Sequence, residues 1–338
     1  MNCDIIIPIW NQPALTKDCV DSIFKYTDGV DYRIIAVDNA SDNETKHYLQ
    51  GLKILKPDSI EVIRNAENLG FVKAVNQGIA ASKAAYACIL NNDTLVTKDW
   101  LKEMIKVAGS ADDIGIVNPS SNNLGQKPAN GEPLELYAEK IAKERGQSIE
   151  LGAAIGFCML IKRKLIDEIG AFDEIYGMGN FDDTDFSRRA VRSGYRCVRA
   201  CGAYVYHREN ASFNKVKTFE DDFKRNREIY EFRWGKPKRV AYILDDVEEN
   251  LLKKMNSEAL ALARLGNWVW YFRRRQANGP RHSNIIIKDL PGGWFYPRAI
   301  FGILKKKKKF NEIFVGGEGV GRVLSKLSFI HKAKIKYY

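Results

Sequence analysis

Nowhere in the 338 residues does an apolar run approach the ~20 residues that a membrane-spanning helix needs. Met1 leads directly into the strand-like Asp4-Ile-Ile-Ile-Pro8, without a basic and then apolar leader. Together these absences point to a cytoplasmic protein, at most one lying at the inner face of the membrane. The cysteines Cys3, Cys19, Cys88, Cys158, Cys197 and Cys201 form no Cys-x-x-Cys unit, which argues against a zinc ribbon or a dithiol redox site. They sit in apolar segments and read as reduced, buried small hydrophobes. No internal repeat is present, and Lys305–Lys309 is the one low-complexity stretch.

The hydrophobic share of 45% and charged share of 28% are those of a globular chain, long enough for one large core or two modest ones. The net charge of +11 is unevenly spread: residues 235–338 hold 22 Lys and Arg against 8 Asp and Glu, and residues 1–234 hold 31 against 34. A basic tail of this kind suits anionic lipid or nucleic acid. The aromatic residues among its charges are too few and too apolar in context to stack bases, so no nucleic-acid partner is expected.

Apolar periodicity gives the order of elements. Strands are expected at Asp4–Ile9, Tyr32–Val37, Ile60–Ile63, Tyr86–Leu90, Ile114–Val117, Ala153–Ile161, Tyr195–Ala200 and Ala203–Tyr206. Helices fall at Leu15–Tyr26 with Thr16 as cap, then at about 43–53, 71–81, 100–107, 164–169 and 182–193, and residues 126–148 form an excursion with a charged helix. Alternation at this spacing makes a parallel sheet with helices on both faces. After the hinge Gly235-Lys-Pro-Lys238 the pattern restarts with a strand at Val240–Asp245, a helix at Glu248–Leu265 and strands near 268–272, 285–287, 310–315 and 333–337. The expected division is therefore residues 1–234 and a small α/β unit at 235–338.

Three of the strands end in polar clusters: Trp10-Asn11, Asp38-Asn39 and Asn91-Asn92-Asp93. Helix caps and turn chemistry account for any one of them. In a parallel sheet, however, all three meet at the carboxyl edge, where such sheets bind ligands. Asp93 there would offer an oxygen to a hard divalent cation holding a diphosphate. Asp182, Asp183 and Asp185 open a helix, a position that also suits carboxylates through the helix dipole.

Ile5-Ile-Ile-Pro-Ile-Trp-Asn11, Val37-Asp-Asn-Ala-Ser41, Glu67-Asn-Leu-Gly-Phe71, Leu90-Asn-Asn-Asp-Thr94, Gly156-Phe-Cys-Met-Leu160 and Gly179-Asn-Phe-Asp-Asp183 follow one another along the chain. In that order they resemble the family 2 inverting glycosyltransferases of the GT-A fold, in particular the rhamnosyltransferase-like branch, over residues 2–232. The resemblance implies a mixed, mostly parallel sheet and a nucleotide pocket made of Pro8, Trp10, Asn11, Asp38, Asn39, Asn68, Gly70, Asn76 and Asn92. It implies Mn2+ or Mg2+ on Asp93 and His207. Gly156, Phe157, Cys158 and Asn180 would lie beneath the donor sugar and acceptor. Asp183 matches the family's base, and Asp182 stands where Glu is usual, an orienting acid. Asp185 would be structural, with Arg188 as its partner. Asn at 91 and 92 departs from the commoner acidic metal motif.

The implied reaction moves a sugar from a UDP-, dTDP- or GDP-linked donor to a polysaccharide or lipid-linked saccharide, with peripheral membrane contact through the basic tail. That tail, opening with Arg239-Val-Ala-Tyr-Ile-Leu-Asp245, is similar to the N-terminal half of a GT-B glycosyltransferase, and the resemblance implies an accessory or truncated domain. Two alternatives remain at this level. A sugar nucleotidyltransferase would need a Gly-rich, Arg-bearing loop after the first strand, where Trp10-Asn-Gln-Pro13 stands. A sugar-nucleotide or nucleic-acid binding module would need no base.

Overall fold

A computed structural model describes residues 2–208, 219–245, 247–274 and 279–338. The chain divides into two compact units, Met1–Ile149 with Ala153–Trp234, and Glu150–Gly152 with Gly235–Tyr338.

The first unit is built on one nine-stranded sheet. Its strands are β1 (Asn2–Ile9), β2 (Asp31–Asp38), β3 (Ile60–Arg64), β4 (Tyr86–Leu90), β5 (Thr94–Val96), β6 (Ile114–Ser120), β7 (Ser148–Leu151), β8 (Cys158–Lys162) and β9 (Arg196–His207). Its helices are α1 (Pro13–Tyr26), α2 (Asn43–Leu55), α3 (Phe71–Ala81), α4 (Trp100–Ala108), α5 (Leu134–Ile141), α6 (Arg163–Ile169), α7 (Asp182–Arg192) and α8 (Phe219–Trp234). The order β3-β2-β1-β4-β8-β6-β9-β5 is parallel from β3 to β4 and again between β6 and β9. β8 runs antiparallel between β4 and β6. The start of β8 therefore lies at the edge where β1, β2 and β4 end, with Leu90 opposite Cys158.

The apolar run of β1 is buried almost throughout because helices cover both faces of a parallel sheet. α3 packs so closely on β1 that a Cβ at Gly78 would stand 2.3 Å from Ile6 Cγ2, so only glycine fits. All six cysteines are free and buried, and burial pushes the Cys19 thiol up to about 12.

Four local readings differ from the structure. Thr16 lies inside α1, its hydroxyl donating to Gln12 O at 3.0 Å, and Pro13 rather than Thr16 opens the helix. The strand expected from Ala153 begins at Cys158. The backbone N–H groups of Ala154, Ile155 and Gly156 are spent on the side chains of Ser187, Asn118 and Asp183, so this segment forms no ladder. Residues 196–207 form one strand with a register shift against β6. Finally, β5, β7 and α8 have too little apolar periodicity to be visible beforehand.

The second unit is a five-stranded sheet, parallel throughout, in the order β12-β11-β10-β13-β14. Its strands are β10 (Arg239–Leu244), β11 (Trp268–Arg274), β12 (Ile285–Leu290), β13 (Glu312–Val315) and β14 (Lys334–Tyr337). α9 (Glu249–Arg264) contributes to the core on one face; α10 (Phe295–Leu304), α11 (Glu318–Lys326) and α12 (Ser328–His331) complete the unit. This is the Rossmann-type strand order. No described helix is long and apolar enough to cross a membrane.

Candidate active site

The carboxyl ends of β1, β2 and β3 are tied into one polar network. Asp38, the buried last residue of β2, accepts from Ser41 N at 2.9 Å and pairs with Arg64, whose other arm reaches Ser41 O at 2.9 Å. Asn11, with φ 57°, donates its N–H to Ser41 Oγ at 2.8 Å and accepts from Asp42 N at 2.7 Å. Asn39 donates to Asn68 Oδ1 at 2.7 Å and to Gly70 O at 3.2 Å, and accepts from Leu69 N at 2.9 Å. Gly70 has φ +88°, and a Cβ there would stand 2.9 Å from Gly177 O. Pro8 and Trp10 are half-buried at the same strand end. Asn76 and Asn92 are engaged elsewhere: Asn76 brackets Phe172 through its backbone O and N, at 2.9 and 3.1 Å, and Asn92 donates to Thr16 Oγ1 at 2.9 Å.

At the end of β4, Asp93 Oδ1 lies 3.0 Å from His207 Nε2 at the end of β9. Asn123 Nδ2 stands 2.7 Å from His207 Nδ1, so the amide donates to Nδ1 and Nε2 carries the proton that faces Asp93. Asn122 brackets the backbone of His207, accepting from its N at 2.9 Å and donating to its O at 2.8 Å. Phe157 stacks on the imidazole with ring centroids 5.3 Å apart, and Phe157 O accepts from Asn91 N at 2.8 Å. The side-chain oxygens of Asn91 and Asn123 are buried with no hydrogen-bond partner among the described residues.

Asp93 and His207 fit a divalent cation: two neighbouring ligands of an octahedral ion at ~2.1 Å stand ~3.0 Å apart, which matches their separation. Among the described residues no three His, Cys, Asp or Glu side chains gather as a complete cage. The pair could therefore hold an ion only together with water or the ligand's own oxygens.

Asp182 and Asp183 open α7 directly after Asn180 and Phe181, two consecutive non-glycine residues in the left-handed region with φ 71° and 69°. Such conformations are costly and tend to gather at functional sites. Asp183 is half-buried; its Oδ2 accepts from Gly156 N at 2.8 Å and its Oδ1 from Thr184 N at 2.6 Å. Burial raises its pKa above the usual carboxylate range despite these donors. Asp182 is only 4% exposed, and burial together with the neighbouring Asp183 charge pushes it up to about 8. Asp185 is structural, but the partners it takes are Arg189 and Arg233, with Trp234 and Tyr176 donating as well. Arg188, expected beside it, gives its Nε to Tyr230.

The loop before the acids is held from two sides. Val72 N donates to Gly177 O at 3.1 Å, and the buried Asn226 of α8 donates to Tyr176 O and Gly179 O at 2.9 and 2.7 Å. Gly156 and Phe157, adjacent in sequence, touch Asp183 and His207 respectively, so the acids and the Asp93–His207 pair share one neighbourhood.

Residues 4–170 match the sequence model of glycosyl transferase family 2. The match covers just under half of the chain. The first unit has the GT-A glycosyltransferase fold. Among solved structures it is similar to the mannosyltransferase PcManGT from Pyrobaculum calidifontis, in complex with GDP-Man and Mn2+, at 18% identity and a TM-score of 0.50, covering 62% of this chain and 57% of that one. Among curated relatives, uncharacterized protein y4gI of Sinorhizobium fredii is 25% identical over 249 residues, 67% of this chain and 26% of its own length. The succinoglycan biosynthesis protein ExoO of Rhizobium meliloti is 25% identical over 205 residues, 56% of each chain. The chain thus spans about a quarter of the first of these relatives and just over half of the second.

Asn118, Asn122, Asn123 and Asn226 support the site without having been singled out in the sequence. The first three lie in or beside a loop readable beforehand only as polar, and nothing in their spacing points to His207 or Ile155.

Proposed function

We propose that the first unit transfers a sugar, with inversion, from a nucleoside diphosphate donor to a saccharide hydroxyl of a polysaccharide or lipid-linked acceptor. The observation that carries this reading is the dipeptide Gly156-Phe157, which touches the acid Asp183 on one side and the Asp93–His207 pair on the other. The family 2 match and the mention of succinoglycan biosynthesis in one relative's name support it.

In this reading Asp183 takes the proton from the acceptor hydroxyl as that oxygen bonds to the anomeric carbon. The bond from that carbon to the diphosphate oxygen breaks on the opposite face, and its electron pair leaves with the diphosphate. Gly156 N and Thr184 hold the Asp183 carboxylate in place. Asp182, buried and protonated near neutrality, leaves Asp183 as the ionised member of the pair and orients it. A Mn2+ or Mg2+ held by Asp93 and His207 would offset the charge on the departing diphosphate. The network of Asn11, Asp38, Asn39, Asn68 and Gly70 is the proposed floor of the nucleotide pocket.

The test is donor turnover and transfer with added manganese, comparing the parent with Asp183→Asn. The variant should lose about a hundredfold or more in rate while still binding the nucleotide that shifts the parent's melting temperature among UDP, dTDP and GDP. Equal turnover in both would remove Asp183 from the mechanism.

A further inference from the structure

α10 and the turn before it carry Trp294, Arg298, Phe301 and Lys305, spaced by four, three and four residues, which is one stripe along a helix. Its opposite side is core: Phe295, Ala299 and Ile303 are buried, and Gly302 packs so tightly on Phe272 that a Cβ would come within 2.6 Å of the ring. Trp294 and Phe301 are left 68% and 64% exposed, although both are large and apolar.

The stripe borders an open cavity of about 570 Å³, whose lining also includes Lys288 and Lys306. Among the described residues four cations line this space and no carboxylate does. Asp289, next in sequence to Lys288, is paired with Arg273. Burial and the positive charges of Lys288, Arg239 and Lys305 lower the pKa of Lys306, as expected where cations crowd without an anion. Lys307 and Lys308 extend the positive surface and are exposed.

Exposed aromatic side chains among cations on one helix face are the chemistry of an interfacial helix. The rings enter the headgroup layer, and the Lys and Arg stems lie along it with their charges toward phosphate. A nucleic-acid surface would use the cations but would need rings arranged to stack on successive bases, and Trp294 and Phe301 lie two helical turns apart, ~10 Å, instead. We infer that α10 and the cavity beside it form a docking surface for an anionic lipid bilayer. The surface lies wholly within the second unit and stands whether or not the first unit transfers a sugar.

Co-sedimentation of the whole chain with vesicles tests it. Binding to vesicles of equal parts phosphatidylglycerol and phosphatidylcholine should exceed binding to phosphatidylcholine alone by roughly tenfold or more and should weaken with salt. Trp294→Ser with Phe301→Ser, and separately Arg298→Gln with Lys305→Gln, should each lower it by a similar factor; all four side chains are at the surface, and unchanged melting temperatures confirm folding. Equal binding of the parent and both variants would overturn the proposal. So would equal binding to the two vesicle types, full displacement by inorganic phosphate, or preferential retention on duplex DNA.

Discussion

The Phe157 ring lies nearly parallel to the His207 imidazole, with an interplanar angle of 16° and centroids 5.3 Å apart. Phe157 is also buried, so one side chain both fills the core and fixes the tilt of the histidine. Phe157→Ala should destabilise the fold by about 3 kcal/mol. Phe157→Leu should recover most of that stability but not the manganese affinity, because a branched aliphatic chain cannot stack. Calorimetry of melting and of Mn2+ binding separates the two effects.

Asn123 governs which nitrogen of His207 carries the proton. A cation on Nε2 needs its lone pair, which requires the proton on Nδ1 and the Asn123 amide turned to present the oxygen that now lacks a described partner. Asn123→Ala should weaken Mn2+ binding about tenfold, and Asn123→Asp should strengthen it. The nitrogen chemical shifts of His207 would report the tautomer in each variant without reference to turnover.

Burial raises both acids of α7, and they titrate as a pair. If the base works ionised, transfer should rise with pH through a range above that of ordinary carboxylates, and Asp182→Asn should leave that limb in place, because Asp182 is uncharged there and burial is what raises Asp183. A rate profile flat from mildly acidic to neutral pH would contradict the assignment.

The same shift has a consequence for stability. Asp182 has a folded pKa of about 8, above its unfolded value, so its contribution is fully present below the unfolded value and is lost as pH rises through about 8. The parent should melt at lower temperature at pH 9 than at pH 6 by more than Asp182→Asn does. Thermal melts of both proteins across that window check the sign.

Gly70 cannot carry a side chain. Its φ of +88° and its approach to Gly177 O both exclude a Cβ, so Gly70→Ala should displace the loop before the acids and cost about 1–3 kcal/mol. Nucleotide binding should fall in parallel with the melting temperature.

Much of the first sheet was legible because β1, β2 and β4 are uninterrupted buried runs ending in polar residues, and a parallel edge brings such ends together. Asp38, Asn39, Asn11 and Asn68 do meet in one network. What stayed hidden was set by side chains acting on distant backbone. Ala153–Phe157 has the composition of a strand but is held open by Asn118, Ser187 and Asp183. Asn76 looked like a ligand-facing residue of α3, and the structure spends it on Phe172. α8 was missed because its key buried residue, Asn226, is polar.

The stretch that matches the family model stops at residue 170, whereas the carbonyls that Asn226 grips belong to residues 176–180. On the proposed reading, the floor of the nucleotide pocket would come from the matched stretch, while the angle at which Asp183 meets an incoming hydroxyl would be set by a helix beyond it. Exchanging 171–234 with a relative should retune which acceptor is chosen and leave the choice of donor intact.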